Sequence, residues 1–389
     1  MTMGLQECRQ VAADGRILRP LEHLALDPQP GGGCGRARAT KPAAGIPGDL
    51  HLSQRGVALV ITLVIVTILV TLLVELTYST QVNLRIASTY RDGMKAYYIA
   101  KSGVELAMAV LQRDYEEDRR DVSEGKEAVQ QDNLGELWAN LGEAVAAAEV
   151  MEPDLFGGGR LLLKVVDEDR KINANLADQD PTSSILDRLF AQGGIGTDFK
   201  SAIADWIDED EEVTDPGGGE TRYYEGLEPS YPCKNGEMDT ISELRMIRGG
   251  VEALDKTFDA FQGETEAGGS RKWTVEELLS AVPGRGAKIN INTAPGPVIM
   301  ALHEDIDSLQ VEETLQDRAR DPFPRVEAFR DYFSNNFGIS NLPPNLAVES
   351  HYFTIESIGI VGEVEKKLRV TVYRDPNKGT LETLIWRVE

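Results

Sequence analysis

The stretch richest in reactive groups is DWIDEDEEVTDPGGGETRYY, residues 205–224. From Asp205 to Glu228 ten acidic residues accompany one basic residue, Arg222. Asp208, Asp210 and Glu212 alternate, Asp215 precedes a Pro-Gly-Gly-Gly turn, and Glu220 follows Asp208 by twelve positions. Hard oxygen donors at alternate positions, a sharp glycine-enabled turn and a distal glutamate are what calcium coordination needs. The loop departs from the EF-hand pattern, lacking the glycine at its turn position and carrying its last glutamate one residue late. Downstream, Asn235, Glu237, Asp239 and Glu243 could complete this site or form a second. A solvated acidic face is the ordinary fate of a charge run, and spacing alone leaves both readings open.

Other chemistry finds less support. Asp205 and Asp208 could act as paired carboxylates in a hydrolase, but acids three apart on a helix are commonplace. GxSxG and HExxH motifs are absent, and His303 and His351 stand alone as surface or packed histidines, so no enzyme is expected. Three cysteines, at 8, 34 and 233, cannot build a disulfide framework, and none has CxxC spacing for zinc or redox work. With 64 acidic against 40 basic side chains, a formal charge of -24, the chain lacks the positive surface a nucleic-acid partner requires.

The elements that position the acidic loop begin with an anomaly. Residues 57–74, VALVITLVIVTILVTLLV, are eighteen residues without a charge, enough to span a bilayer's hydrocarbon core narrowly. The run is too long for the apolar region of a cleaved secretory signal, and a soluble core helix rarely lacks a polar face for so long. Apolar residues then recur at Tyr90, Met94, Tyr97, Val104, Met108 and Leu111, so one helix is expected over about 57–115, membrane-embedded first and amphipathic afterwards. Further helices are expected within 115–150. RLLLKVVDEDRKINANL alternates as a strand pair or as one strand and a turn, and 351–362, 366–374 and 381–389 alternate as three strands. Strands flanking a largely helical block imply a sheet with an insertion. Inside that block KINAN at 171–175 returns as KININ at 288–292, and LDRLFAQGGIGTDFKSAIADWID places a GGIG turn between two amphipathic helices. That hairpin resembles the helix-hairpin-helix unit. With so many acids following it, packing is a better reading than phosphate binding.

Gln54-Arg55-Gly56 stands directly before the apolar run and resembles the end of a type IV prepilin leader, which a dedicated peptidase removes on the cytoplasmic side after the glycine. Cleavage between Gly56 and Val57 would leave 333 residues carrying 33 basic and 59 acidic side chains. The basic flank fits positive-inside orientation, with the bulk of the chain across the membrane. Val57 stands where phenylalanine or methionine is usual, and Ile61 where major pilins carry glutamate. That glutamate is thought to pair with the amine of the preceding subunit. A subunit with no predecessor gains nothing from a buried carboxylate. Residues 1–56 are long for a leader, rich in Gly, Pro and Arg, and read as an over-extended start. Only Cys233 would survive processing, as a buried inert thiol unless a partner chain meets it.

The apolar fifth position, YYIAKSGVELAMAVL at 97–111, KINANL, DWIDEDEE with GGGE and Tyr223-Tyr224, SELRMIRG at 242–249 and KININTAP occur together and in order. Together they resemble the K-type minor pseudopilins (GspK) of bacterial type II secretion, over essentially all of 55–389. The resemblance implies an α+β, pilin-like fold: a long N-terminal helix packed on an antiparallel sheet, with a large mainly α-helical domain inserted in the sheet. Its divisions would be a leader at 1–56, the helix at 57–115 (transmembrane at about 57–74), a first pilin-like part at 116–175, the inserted helical domain at 176–345 and C-terminal strands at 346–389. It further implies inner-membrane anchoring, N-terminal methylation, a periplasmic bulk and a place at the pseudopilus tip. The implied partners are the I- and J-type minor pseudopilins, the major pseudopilin and prepilin peptidase, with contact to secreted substrates or the secretin, and no nucleic acid. Calcium in the inserted domain is also implied, its ligands by motif position being Asp208, Asp210, Asp215 and Glu220, with Asn235, Asp239 and Glu243 as further candidates. A single-pass receptor or adaptor with a ligand-binding helical domain is the alternative reading.

Overall fold

The computed structural model describes residues 54–123, 131–152, 154–262, 264, 271–283 and 287–389. The expected leader up to residue 53, with Cys8 and Cys34, lies outside them. Two compact units divide the chain, Met1–Leu73 and Val74–Glu389, and helix α1 (Gln54–Ser123) contributes to both. In the first unit Gly56 and Val57 occupy the first turn of α1, and the apolar run that follows buries none of its surface in protein. Its polar groups are satisfied within the helix: the hydroxyls of Thr62, Thr67 and Thr71 donate to carbonyls three or four residues back. A helix so built fits a single-pass membrane anchor.

In the second unit Ala96, Ala100, Val104, Ala107, Leu111 and Tyr115 of α1 form one buried stripe at spacings of three and four. After α2 (Leu141–Met151) and β1 (Arg160–Asp167) comes a long insertion. It comprises β2 (Ile172–Asn173), α3 (Thr182–Gln192), α4 (Thr197–Ile207), α5 (Thr221–Tyr224), α6 (Gly250–Leu254), β3 (Thr257–Asp259), β4 (Lys272–Thr274), α7 (Val275–Leu278) and β5 (Leu279–Ser280). There follow β6 (Ile289–Asn290), α8 (Gly296–Ala301), α9 (Ser308–Arg320), α10 (Val326–Phe337) and β7 (Leu346–Ala347), before β8 (Tyr352–Val361), β9 (Val364–Arg374) and β10 (Leu381–Val388). The main sheet is antiparallel with strand order β1-β8-β9-β10.

One face of that sheet is apolar because its strands alternate. Leu161, Leu163 and Val165 of β1, Phe353 and Ile355 of β8, and Leu368, Val370 and Val372 of β9 join the α1 stripe and α2 in one core. The helix lies close at two glycines. A Cβ on Gly359 would overlap the Ala96 carbonyl, and one on Gly103 would overlap the Ser357 hydroxyl and Leu161. Ser357 Oγ instead donates to the Ala100 carbonyl at 2.7 Å.

A second core, reaching from Ile172 to Val348, belongs to the insertion. The inserted domain therefore runs past both expected limits, 176 and 345, and α1 runs past 115. The wider limits have a cause: β2 pairs in parallel with β5, and β6 with β7, so each edge of the insertion is tied to its own interior. RLLLKVVD is thus a single strand followed by a turn.

The repeated asparagine motif proves to be a repeated structure. In KINAN the Asn173 side chain accepts from Asn175 N at 3.1 Å, and Asn175 both donates to and accepts from the Met238 backbone at 3.1 and 2.7 Å. In KININ, Asn290 accepts from Asn292 N at 2.9 Å, and Asn292 makes the same pair of bonds to Phe323 at 3.0 and 2.9 Å. Each copy closes its own turn with the first asparagine and staples a distant backbone segment with the second.

Where the chain leaves and re-enters the sheet, buried polar groups hold it. Asp167, at the end of β1, accepts hydrogen bonds from Thr293 Oγ1 at 2.5 Å and Ser350 Oγ at 2.6 Å. Asp169 accepts from the backbone of His351 and Tyr352, at 2.6 and 3.2 Å. Arg374 of β9, 2% exposed, reaches both oxygens of the equally buried Asp132 at 2.6 Å and the Ser350 carbonyl at 2.8 Å. Removing one partner of such a pair strands the other charge. Arg374→Met should cost about 3–5 kcal/mol in urea unfolding of the detergent-solubilised chain, and Asp132→Asn in the same background should recover part of it. A loss below about 1 kcal/mol, the worth of an exposed pair, would show that the junction does not depend on it.

Candidate metal centre

The acidic stretch begins on α4, whose Phe199, Ala202, Ile203 and Trp206 are buried. Asp205 lies on that buried side and is fully buried, while Asp208 caps the C-terminus of α4, its N–H donating to the Ala204 carbonyl. Beyond an exposed excursion the chain returns through Gly217-Gly218-Gly219 to Glu220, which precedes α5 and is 3% exposed. Oxygens of Asp205, Asp208 and Glu220 lie within 4.8 Å of one another.

The glycine turn permits this approach. Gly217 has φ +86°, and a Cβ on Gly218 would run into Asp205 Oδ2 and the Thr214 backbone. Thr214 N donates to both Asp205 oxygens at 3.1 and 3.2 Å. From the other side Arg248, in SELRMIRG, donates to the Gly218 carbonyl at 2.8 Å and stacks over Tyr223. Tyr224 packs edge-on against Trp206 at 5.1 Å. The family-like motifs around the loop therefore act as its mould.

Satisfaction is incomplete in one respect. Asp208 Oδ1, both Glu220 oxygens and Asn235 Oδ1 are buried with no hydrogen-bond partner. Asn235 stands nearby in a left-handed conformation, φ 48°, its Nδ2 donating to the Asp210 carbonyl at 2.9 Å and to Glu211 at 3.1 Å. Burial, with the neighbouring acids, pushes the Asp208 carboxyl up to about 6 and that of Glu220 up to about 7. Unpartnered acceptors gathered at one place are costly unless something positive meets them. An all-oxygen donor set of three carboxylates and a carboxamide suits a hard divalent cation.

The other sequence candidates are placed differently. Asp210 is exposed and accepts from Glu212 N at 2.7 Å, and Asp215 is exposed. Asp239 and Glu243 are not brought into the cluster, since Lys234 Nζ binds them at 2.8 and 2.9 Å. Glu243 also caps the turn at Thr240 and accepts from Trp206 Nε1. Asp205, weighed in the sequence only as a hydrolytic carboxylate, takes the third carboxylate position. The signal available for it was its spacing of three from Asp208 within the apolar AIADWI segment. Cys233 lies behind the loop, 7% exposed, its thiol pushed up to about 11 by burial and directed at the Asp205 carbonyl.

Two segments, residues 162–256 and 289–356, match the family described as Type II secretion system (T2SS), protein K. The first spans the acidic loop and the second the ININ turn at 289–292 and the return to the sheet. The chain belongs to the type II secretion system protein K family. It is a minor pseudopilin of that system. Type II secretion system protein K of Pseudomonas aeruginosa is 28% identical over 334 residues, covering 82% of this chain and 89% of the relative. Protein K of Klebsiella pneumoniae is 24% identical over 214 residues, 52% of this chain and 60% of that protein. In fold the chain is similar to one in the crystal structure of the GspK-GspI-GspJ complex from enterotoxigenic Escherichia coli. The TM-score is 0.55 at 18% identity, covering 79% of this chain and 99% of that one. A protein K with an acidic loop moulded by Arg248, Tyr224 and the glycine turn is thus the framework for its role.

Proposed function

We propose that this minor pseudopilin occupies the tip of the pseudopilus, where it initiates assembly and caps growth. The observation that carries the reading is the separate helical core between β1 and β8. It adds to the pilin-like sheet a body that a second copy stacked above would have to displace. Ile61 supports the same position, because an apolar fifth residue offers no carboxylate to a preceding subunit's amine. Prepilin peptidase cleaves after Gly56, the apolar start of α1 anchors the chain in the inner membrane, and the remainder is periplasmic. The I- and J-type minor pseudopilins are its neighbours and the major pseudopilin lies beneath, leaving the inserted domain to meet secreted proteins or the secretin. The α3–α4 hairpin is a helix-hairpin-helix-like packing unit. Its turn amides at Gly193, Gly194 and Ile195 are spent on carbonyls of α3, which supports packing over phosphate binding. Heavy-atom labels on the inserted domain should appear at one end of pseudopili assembled with the I- and J-type subunits. Labels distributed along the shaft would overturn the capping role.

The acidic loop, on this reading, holds calcium through Asp205, Asp208, Glu220 and Asn235, with Asp210 and Asp215 near enough in sequence to contribute backbone or water-mediated ligands. The ion would supply the positive charge that the four unpartnered oxygens lack. Without it, the native state binds protons at Asp208 and Glu220 more tightly than the unfolded chain does. Their contribution to stability therefore declines as pH rises from about 4 through about 7 in chelator. Calcium should raise the unfolding midpoint of the solubilised chain, by about 2.7 kcal/mol at a hundred times its Kd, and remove that decline. Asp208→Asn with Glu220→Gln should abolish both effects. Equal calcium shifts in the wild type and the double variant would sink the site.

A further inference from the structure

Two clefts outside the acidic loop contain opposed charges in different proportions. The larger, about 510 Å³, shares Arg170, Arg271 and Trp273 with the smaller, and the Lys171, Arg369, Glu168 and Glu356 that it adds are already matched as Lys171–Glu168 and Arg369–Glu356 pairs. The smaller, about 250 Å³, is different. Among the described residues three guanidinium groups line it, those of Arg170, Arg271 and Arg318, against one carboxylate, Glu264.

That carboxylate is already engaged. Glu264 accepts from Gly296 N at 2.7 Å, from Phe261 N at 3.1 Å and from Trp273 Nε1 at 3.1 Å, and none of these donors is an arginine. Asp167, three residues before Arg170 in the chain, is taken up by Thr293, Ser350 and the backbone of Asp169. Among the described residues Arg170 makes no hydrogen bond or ion pair, and its Nε is buried without a partner. Arg318, 6% exposed, donates among the described residues only to the Ile291 carbonyl, at 2.8 Å. Arg271 has one long contact, 3.5 Å to Glu277. Burial pushes Arg170 and Arg318 down, Arg318 to about 9; neighbouring guanidiniums add to the shift, while Glu264 opposes it at both and Asp167 at Arg170.

The side chains are nevertheless held in place. The Arg271 and Arg170 guanidiniums lie over the Trp273 indole at 3.9 and 5.3 Å. Asn292, which also lines the cleft, has its amide fixed on Phe323. Guanidiniums fixed by stacking and short of acceptors, in a concave space the size of a small ligand, form a preorganised oxyanion receptor.

We propose that this cleft binds a small free oxyanion of the phosphate or sulfate class, held by Arg170, Arg318 and Arg271. Such an anion would supply the acceptors missing at Arg170 and separate like charges at the place where 133–135, 170 and the α9 segment meet. In a chain as acidic as this one, a strongly positive cleft is a local departure that solubility does not require.

The test is calorimetric titration of the detergent-solubilised full chain with inorganic phosphate and with sulfate, in calcium-free buffer, against chloride at equal ionic strength. One saturable site for both oxyanions is expected. Affinity should fall at least about tenfold in Arg170→Gln and several-fold in Arg271→Gln, with Arg170→Lys falling between wild type and Arg170→Gln. Circular dichroism reports whether each variant is folded. If Arg170→Gln is not, Arg271→Gln at the rim decides the matter. No saturable binding in the millimolar range, or wild-type affinity in the folded glutamine variants, would overturn the proposal.

Discussion

The structure depends on a buried polar junction at the point where the sheet is interrupted. β1 and β8 are antiparallel neighbours, with Asp167 opposite Phe353, yet a whole domain lies between them in the chain. Both ends of that domain must therefore be held within one strand spacing. Asp167, Asp169, Asp132, Ser350 and Arg374 do this with buried hydrogen bonds, while burial and the neighbouring acids hold Asp167 and Asp169 above the usual carboxylate range. Low local dielectric strengthens each bond and penalises each omission, so the network behaves as an all-or-none clamp. Arg374 also packs over the Phe353 ring at 4.9 Å, which joins the clamp to the apolar core under α1.

The acidic loop shows the opposite use of the same physics. Its backbone is determined by Gly217 and Gly218, the Arg248 clasp and the Tyr224–Trp206 contact, yet buried oxygens of Asp208, Glu220 and Asn235 remain unmatched. A fold that satisfies Asp167 with three donors had the means to satisfy Glu220 as well. These bare oxygens are the observation on which the proposed cation site rests.

Much of the fold was legible because it rests on local periodicity. The α1 stripe, the alternation in β1, β8 and β9, and the hairpin turn at Gly193–Gly196 are all written in residues a few positions apart. The echo of KINAN in KININ correctly marked a repeated unit, although only the structure shows the two asparagines sharing tasks. What remained hidden were relations across long separations. Nothing near Asp132 in sequence points to Arg374. Lys234 removes Asp239 and Glu243 from the acid cluster through contacts that a count of acids does not register. Asp205 was half legible: its spacing of three from Asp208 in the apolar AIADWI segment hinted at it, and its burial makes it a ligand candidate.

These features describe a secretion-system pseudopilin with an N-terminal apolar helix and a chemically richer insertion. Both halves of the account meet at the N-terminus, where the proposed cleavage after Gly56 would leave the apolar helix at the start of the chain. The most direct measurement is the mass of the N-terminal peptide of the membrane-extracted protein. The account predicts a chain beginning at Val57, N-methylated, that reverts to the uncut form when prepilin peptidase is absent. Intact Arg55-Gly56 in the mature, membrane-embedded protein would contradict it.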